Sequence, residues 1–493
     1  LSEYITNAAT FLIITNWILE LNFKEKYKKI VDNKGIVIFL LLFLVHVLWM
    51  INSENTGFGW NDLRIKLPLL ALPVIIGTSQ RLKKTQLDFI TQIFIAGVLI
   101  SSLSGLLIYF GALDNPDPGN VRNMSVFISH IRLSLMVCLS ILLIFYFIHE
   151  QKFFVRYRIV FAVILIVWFL AFLILIQGFT GLTTLVIVGI ITISVKAFNE
   201  KKLSQRILYY VFVFGIPLSI TFYLGYHIKT FYSPTVDKTE IHTQTQYGNS
   251  YYSNKQSRLL ENGNLIYKDI CEKELYSEWN KRSSMKLDGN DSREQSLLHT
   301  LIRFLTSKGY TKDAYGISQL SDNEIRQIEN GTTNYRFVHQ SLNKRIYNII
   351  WQIDVYVKGG NPSGHSITQR FEYLKAGSIL AYRNFLFGTG TGDVDDAFKA
   401  LYIEKRSQLD SKYRHRAHNQ YLTFFVAFGV FGGVICLFAF FYPVIFESRF
   451  GNFQFMVFVL IAVLSMFTDD TIETTTGVVF ISYFYSLFLW GEK

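Results

Sequence analysis

The sequence predicts an all-α, polytopic membrane protein with a large helical domain outside the bilayer. Three observations carry that prediction. Half of the 493 residues are hydrophobic and only 17% are charged, against about 25% in a typical soluble domain. Mainly apolar stretches, close to the roughly 20 residues that cross a bilayer, recur near 3–21, 36–51, 64–79, 88–111, 126–149, 157–177, 180–197, 207–227, 418–446, 453–470 and 476–491. The connections between them alternate between basic and neutral or acidic.

The stretch at 64–79 is short and holds Pro68 and Pro73; Gln177-Gly178 separates the sixth stretch from the seventh. Lysines 24, 26, 28, 29 and 34 fill the first connection. Arg81, Lys83 and Lys84 fill the third, Lys152, Arg156 and Arg158 the fifth, and Lys196, Lys201, Lys202 and Arg206 the seventh. Basic connections face the cytoplasm. This puts Leu1 outside and fits a further helix ahead of it, for about 11–12 transmembrane helices. The expected regions are an N-terminal bundle of about eight helices at 1–227, an external helical domain at 228–417, and about three helices at 418–493. The net charge of +11 then reflects basic loops at a lipid surface and not nucleic-acid binding. Cys138, Cys271 and Cys436 imply no disulfide framework.

Within the external block, Ser257 to Leu287 reads as helical. Leu297, Leu298, Leu301, Ile302 and Leu305 mark an amphipathic helix over Ser292 to Lys308. Ser321 with Glu324 forms a capping box that opens a short helix, which Gly331 stops. Arg336 to Val357 and Ile367 to Arg383 read as amphipathic helices separated by KGGNPSGH, and Asp393 to Lys405 as a last one.

The residues able to carry chemistry gather near the end of that block. In RHRAHNQYLTFFVAFGVFGG a basic cluster of Arg414, His415 and Arg416 precedes His418-Asn419, and a long apolar run follows. An imidazole there can act as a general base, or it can simply bond interface water. Arg370 and Arg383 flank an apolar stripe. They can snorkel into solvent, or a guanidinium fork can grip a diphosphate. Gly388, Gly390 and Gly392 form a turn that lets backbone approach a ligand, or is just a tight turn. Arg132, beside His130 at the start of an apolar helix, and Arg122 are outer-side cations; Arg64 and Lys66 have weaker claims. A charge in a membrane helix costs roughly 2.5–3.5 kcal/mol and usually faces a polar cavity. In TDDTIETTTG, Asp469, Asp470 and Glu473 can bind a divalent ion or orient His418, but an exposed acidic loop is the plainer reading.

RAHNQYLTFFVAFGVFG resembles the His-Asn helix entrance of the O-antigen ligase and polymerase superfamily. SITQRFEYLKAGSILAYRNFLFGTGTGD resembles the Arg-containing helix and Gly-x-Gly turn that precede it there. The resemblance is strong over about Ser363 to Gly433 and loose over the membrane helices. It implies a glycosyltransferase at the outer face of the bacterial inner membrane, with the large loop in the periplasm. It implies an undecaprenyl-diphosphate-linked glycan as donor, and lipid A-core or another glycan as acceptor. His418 would be the base and Arg370 the diphosphate ligand; Arg132, Arg122, Arg414, Arg416, Asn419, Arg383 and the three glycines would serve the substrate. No metal or cofactor is implied. The ligase reading leads, with a polysaccharide polymerase or a protein O-oligosaccharyltransferase behind it, and a lipid-linked glycan transporter as the reading from another class. One departure stands out: in QGFTGLTTL, Phe179 takes the place where many members carry arginine, and Arg132 and Arg122 are the cations that could replace it.

Overall fold

A computed structural model describes residues 3–112, 124–125, 128–150, 156–233, 242–254, 257–337, 342–447 and 451–492. It is an all-α polytopic membrane protein, with a two-stranded hairpin as the one sheet among the described residues. The chain divides into two compact units, one of residues 1–209 with 369–493 and one of residues 210–368.

Seven helical stretches among the described residues are long and apolar enough to cross a membrane: Lys34–Asn52, Lys84–Tyr109, His130–His149, Arg158–Leu175, Phe179–Asn199, Leu203–Tyr232 and Gln420–Phe446. Three shorter apolar helices, Tyr4–Leu19, Phe453–Thr468 and Thr475–Trp490, account for the other expected spans except the one near 64–79. There the chain forms two short helices, Thr56–Lys66 and Pro68–Thr78. Pro68 opens the second, where its missing N–H costs nothing.

In the first unit the apolar faces meet in one continuous core. Leu139, Phe169, Phe172, Phe455, Ile461 and Phe488 are all essentially inaccessible. The Gln420–Phe446 helix runs through this core and breaks at Gly429 (φ 61°, ψ −165°). A break inside a membrane helix frees backbone groups that lipid cannot satisfy. The segment after Arg383 supplies partners: the Phe385 carbonyl accepts Val430 N–H at 2.7 Å, while Thr389 and Gly390 N–H donate to the Val426 and Ala427 carbonyls at 2.9 and 2.8 Å. Such close crossing requires glycine on both sides. A Cβ on Gly388 (φ 69°) would lie 2.3 Å from the Ala427 backbone, and one on Gly429 would lie 2.3 Å from that of Leu386.

The second unit has its own core around Leu275, Trp279, Leu301, Phe304, Leu305 and Ile328. The expected capping box is present, with Ser321 accepting from Glu324 N–H ahead of the Asp322–Glu329 helix, and Gly331 (φ 74°) follows that helix. The amphipathic helix spans Leu297–Lys308 and its Gly309 cap has φ 77°. Ser257 to Leu287 differs from expectation. Only Glu272–Arg282 is helical, and Leu260–Glu261 pairs antiparallel with Asn264–Leu265. The reason is the Asn262-Gly263 pair, at φ 49° and 76°. Both residues tolerate the positive φ that a two-residue hairpin turn demands. The Ser366–Arg383 helix, expected from Ile367, belongs to the first unit from Gln369 onward.

Candidate functional site

The site begins at the head of the Gln420–Phe446 helix. Asn419 caps it, its side chain accepting Leu422 N–H at 3.0 Å, the role for which asparagine is among the preferred residues. His418, immediately before the cap, sits in the left-handed region at φ 47°. A histidine rarely occupies that region unless its surroundings over-determine it. Asp470 does so. One of its oxygens accepts His418 N–H at 3.1 Å; the other accepts Asn419 N–H at 3.1 Å and the Thr423 hydroxyl at 2.7 Å. A carboxylate is also favourable at a helix N-terminus, where the free amides are partly positive.

Asp469 holds the ring. Its Oδ1 lies 3.2 Å from His418 Nδ1 and its Oδ2 3.4 Å from an Arg132 guanidinium nitrogen. With Nδ1–H donating to the carboxylate, Nε2 keeps its lone pair; the tautomer is assigned from that contact. Burial by itself would raise the Asp469 pKa. The hydrogen bond from His418 and the charges of Arg132 and Arg370 outweigh it and hold the carboxyl below its usual value. Arg370 is half-buried, and its guanidinium has no hydrogen-bond or ion-pair partner among the described residues. Tyr373, three residues on along the same helix, has its ring 5.3 Å from that of His418. Its hydroxyl donates to the Tyr413 carbonyl at 2.7 Å, tying that helix to the segment that leads into His418.

His418, Asp469, Asp470 and Arg132 border a cavity of about 550 Å³, within the usual range for ligand sites, while Arg370 and Tyr373 are not among its lining residues. Arg132, Arg414, His418 and Asp469 line it, as do Phe58 and Asn61 of the Thr56–Lys66 helix. Beside it lies an ion network. Arg416 donates to Asp395 and, at 3.0 Å, to Glu473; Lys66 bonds Asp62 at 2.6 Å and Glu473 at 2.7 Å. Gln420 donates to Glu473 at 2.9 Å and accepts Ile472 N–H at 3.0 Å. Burial would push Glu473 up, yet Lys66 and Arg416 hold it far below the ordinary carboxylate range. Removing one member of such a buried network strands its partners, at a cost of roughly 3–5 kcal/mol.

The structure therefore sorts the residues singled out from sequence. His418, Arg370 and Arg132 converge around Asp469, and Arg414 reaches the cavity with its Nε on the Leu409 carbonyl at 2.9 Å. Asn419 acts as a cap. Arg416 lines the cavity, but Asp395 and Glu473 neutralise its charge, so it reads as a structural member. Arg383 is engaged in a two-pronged pair with Glu404, at 2.5 and 2.7 Å, and is not among the cavity's lining residues. Gly388, Gly390 and Gly392 press against the backbones of Ala427, Asn52 and Asn55, respectively; they serve chain crossing. Arg122 lies outside the described residues. The exposed acidic loop is a correction: Asp469 and Asp470 are only 6% and 7% exposed. Their signal was legible, because two adjacent carboxylates between two apolar helices are costly without buried partners. Tyr373, Asp395 and Asn61 went unnoticed, and nothing in their local sequence distinguishes them.

The fold and site define a multi-pass α-helical membrane protein with a cation-lined polar cavity at the head of a broken helix. Residues 336–437 match the family model described as O-antigen ligase (Wzy_C). The match takes in Arg370, the glycine crossing, His418 and the Gly429 break. Over that stretch the chain is similar to the O-antigen ligase family, which supports a membrane glycosyltransferase of the ligase or polymerase type. No curated protein matches the chain.

Proposed function

We propose that the protein transfers a glycan from an undecaprenyl-diphosphate carrier to an acceptor sugar, most simply as an O-antigen ligase acting on lipid A-core. The bonds would change in one displacement. His418 Nε2 takes the proton of an acceptor hydroxyl, the oxygen forms a bond to the anomeric carbon, and the bond from that carbon to the diphosphate breaks. The diphosphate leaves with the charge it gains, and the anomeric centre inverts. Arg370, Arg132 and Arg414 are the guanidinium groups suited to that developing charge, an interaction strengthened where water is excluded.

One observation carries this reading. An imidazole is held in a left-handed backbone conformation by Asp470 and oriented through Nδ1 by Asp469, with Arg370, unpartnered among the described residues, acting on the same carboxylate. Strain maintained by buried hydrogen bonds marks functional positions more often than ordinary helix entrances. The place of Phe179 fits too. Cβ atoms on Gly178 and Gly181 would meet Ser134 at 3.0 and 2.7 Å, two residues from Arg132, so Arg132 is the natural substitute for the family arginine. The catalytic rim would lie at the periplasmic face of the inner membrane.

Mass spectrometry of surface glycolipids from cells with and without the protein tests the reading. Uncapped lipid A-core in its absence is the expected result. Cores capped by single repeat units would identify a polymerase instead, and unchanged glycolipids would end the proposal. Transfer should also survive chelation, since Asp469, Asp470 and Glu473 are engaged by cations and hydrogen-bond donors of the chain itself; strict dependence on added divalent ion would overturn that part.

A further inference from the structure

The cavity has a wall that the diphosphate chemistry leaves unused. The Thr56–Lys66 helix turns Phe58, Asn61, Asp62 and Ile65 toward it, the i, i+3, i+4, i+7 stripe of one helical face. Asp62 is neutralised by Lys66. That leaves an aromatic ring, an amide and an aliphatic side chain, all uncharged. We propose that this face is a sugar-recognition wall that takes a neutral pyranose ring through Asn61. The proposal rests on the glycosyltransferase reading above and adds to it which residues read the sugar.

Asn61 is prepared for that contact. Its Oδ1 accepts an Arg64 guanidinium hydrogen at 2.8 Å, which settles which end of the amide is oxygen. Its Nδ2 donates to no group among the described residues, and the side chain is exposed to the cavity. An amide N–H donates well to ring and hydroxyl oxygens, and the apolar Ile65 beside it suits the C–H face of a sugar, while the Phe58 ring carries the Arg416 guanidinium 5.2 Å from its centre. The helix is fixed in place at both ends. Asp393 accepts Glu54 and Asn55 N–H at 2.8 and 2.7 Å, Asn55 donates to Asp396 at 2.7 Å, and Lys66 is bound to Glu473 at the other end. Through Lys66 and Glu473 the wall is mounted on the same loop that carries Asp469 and Asp470, and Asn61 and His418 line one cavity.

Either the acceptor sugar or the first sugar of the donor has this chemistry, and steady-state kinetics of the reconstituted protein distinguishes them. Asn61→Ala should raise KM for one of the two substrates about tenfold, the size expected for one lost neutral hydrogen bond, with kcat within twofold of wild type. A rise in acceptor KM assigns the wall to the acceptor, and a rise in donor KM to the donor. Trp60→Ala, on the same helix but not among the cavity's lining residues, should change neither. Unaltered KM values in Asn61→Ala, or an equal rise in Trp60→Ala, would overturn the assignment while leaving transfer intact. A wild-type protein that transfers no glycan would instead remove the glycosyltransferase reading, and this wall with it.

Discussion

The head of the Gln420–Phe446 helix and the glycine crossing at residues 388–392 lie close together in sequence, and both looked like ligand sites. They use opposite physics. At the helix head, Asp469 and Asp470 hold His418 in a conformation its own backbone disfavours, and leave Nε2 and the Arg370 guanidinium without partners among the described residues. At the crossing, the N–H groups of residues 388–392 all donate, to Asn384, Val426, Ala427, Trp49 and Ser53, while Asn52 donates to the Gly388 carbonyl and the Trp49 indole to that of Phe387 at 2.6 Å. One region spends stability to present free polar atoms. The other removes side chains so that two backbones can satisfy each other inside a membrane protein. Unspent hydrogen-bonding capacity, and not residue type, separates a site from a scaffold.

The sharpest way to break that comparison is His418→Ala. Transfer should fall about 10²–10⁴-fold, the usual contribution of a positioned base, with abundance and membrane insertion unchanged, as read by glycolipid mass spectrometry and by blotting. Retained transfer would remove His418 from the chemistry. Gly388→Ala should behave in the reverse way. Its new Cβ has no room against Ala427, so folded protein should drop by an amount equivalent to about 2–4 kcal/mol, measured by detergent thermal unfolding. What does fold should turn over normally; abundant but inactive protein would make the turn a ligand cradle after all. Asp469→Asn keeps the shape and removes the charge. A kcat loss of about 10–100-fold with little change in KM is expected, and an unchanged kcat would reduce the carboxylate to packing.

The smallest effect concerns the inserted unit. His365 is half-buried with its ring 5.2 Å from that of Trp351, and desolvation, aided by the charge of Arg303, lowers its pKa to about 4. The unfolded chain binds a proton near the ordinary value of about 6.5, so between roughly pH 6.5 and 4 the unfolded state holds more protons than the folded one. The stability that neutral His365 confers is therefore complete above about 6.5 and falls as pH drops toward 4, by about 1 kcal/mol at pH 5.5. His365→Phe should flatten this loss in thermal melts taken between pH 7.5 and 5. An identical acid sensitivity in the variant would show that another group causes it.

Much of the fold was legible because its causes are local. Apolar length, the Ser321-Glu324 box and the 3.6-residue periodicity of 297–305 each act within a few turns. The hairpin at Asn262-Gly263 was also legible, and was overlooked because a helical pattern lay around it. The site was readable only in part. His418, Arg370 and Arg132 stood out as polar groups at the edges of apolar runs. Arg416 looked equally available, and its neutralisation depends on Asp395 and Glu473, 21 and 57 residues away.

The amino-acid order by itself determined that this chain enters a bilayer repeatedly, where helices start and stop, and that a histidine and several arginines gather where polar chain meets membrane helix. Those outcomes follow from transfer free energies and backbone hydrogen bonding summed over neighbouring residues. Tertiary structure alone decided which of the charges remain free. Asp469 and Asp470 reach His418 from 51 and 52 positions along the chain, and Asp393 fixes the Asn61 helix from 338. Charge pairing depends on distance in space, which one-dimensional spacing does not specify.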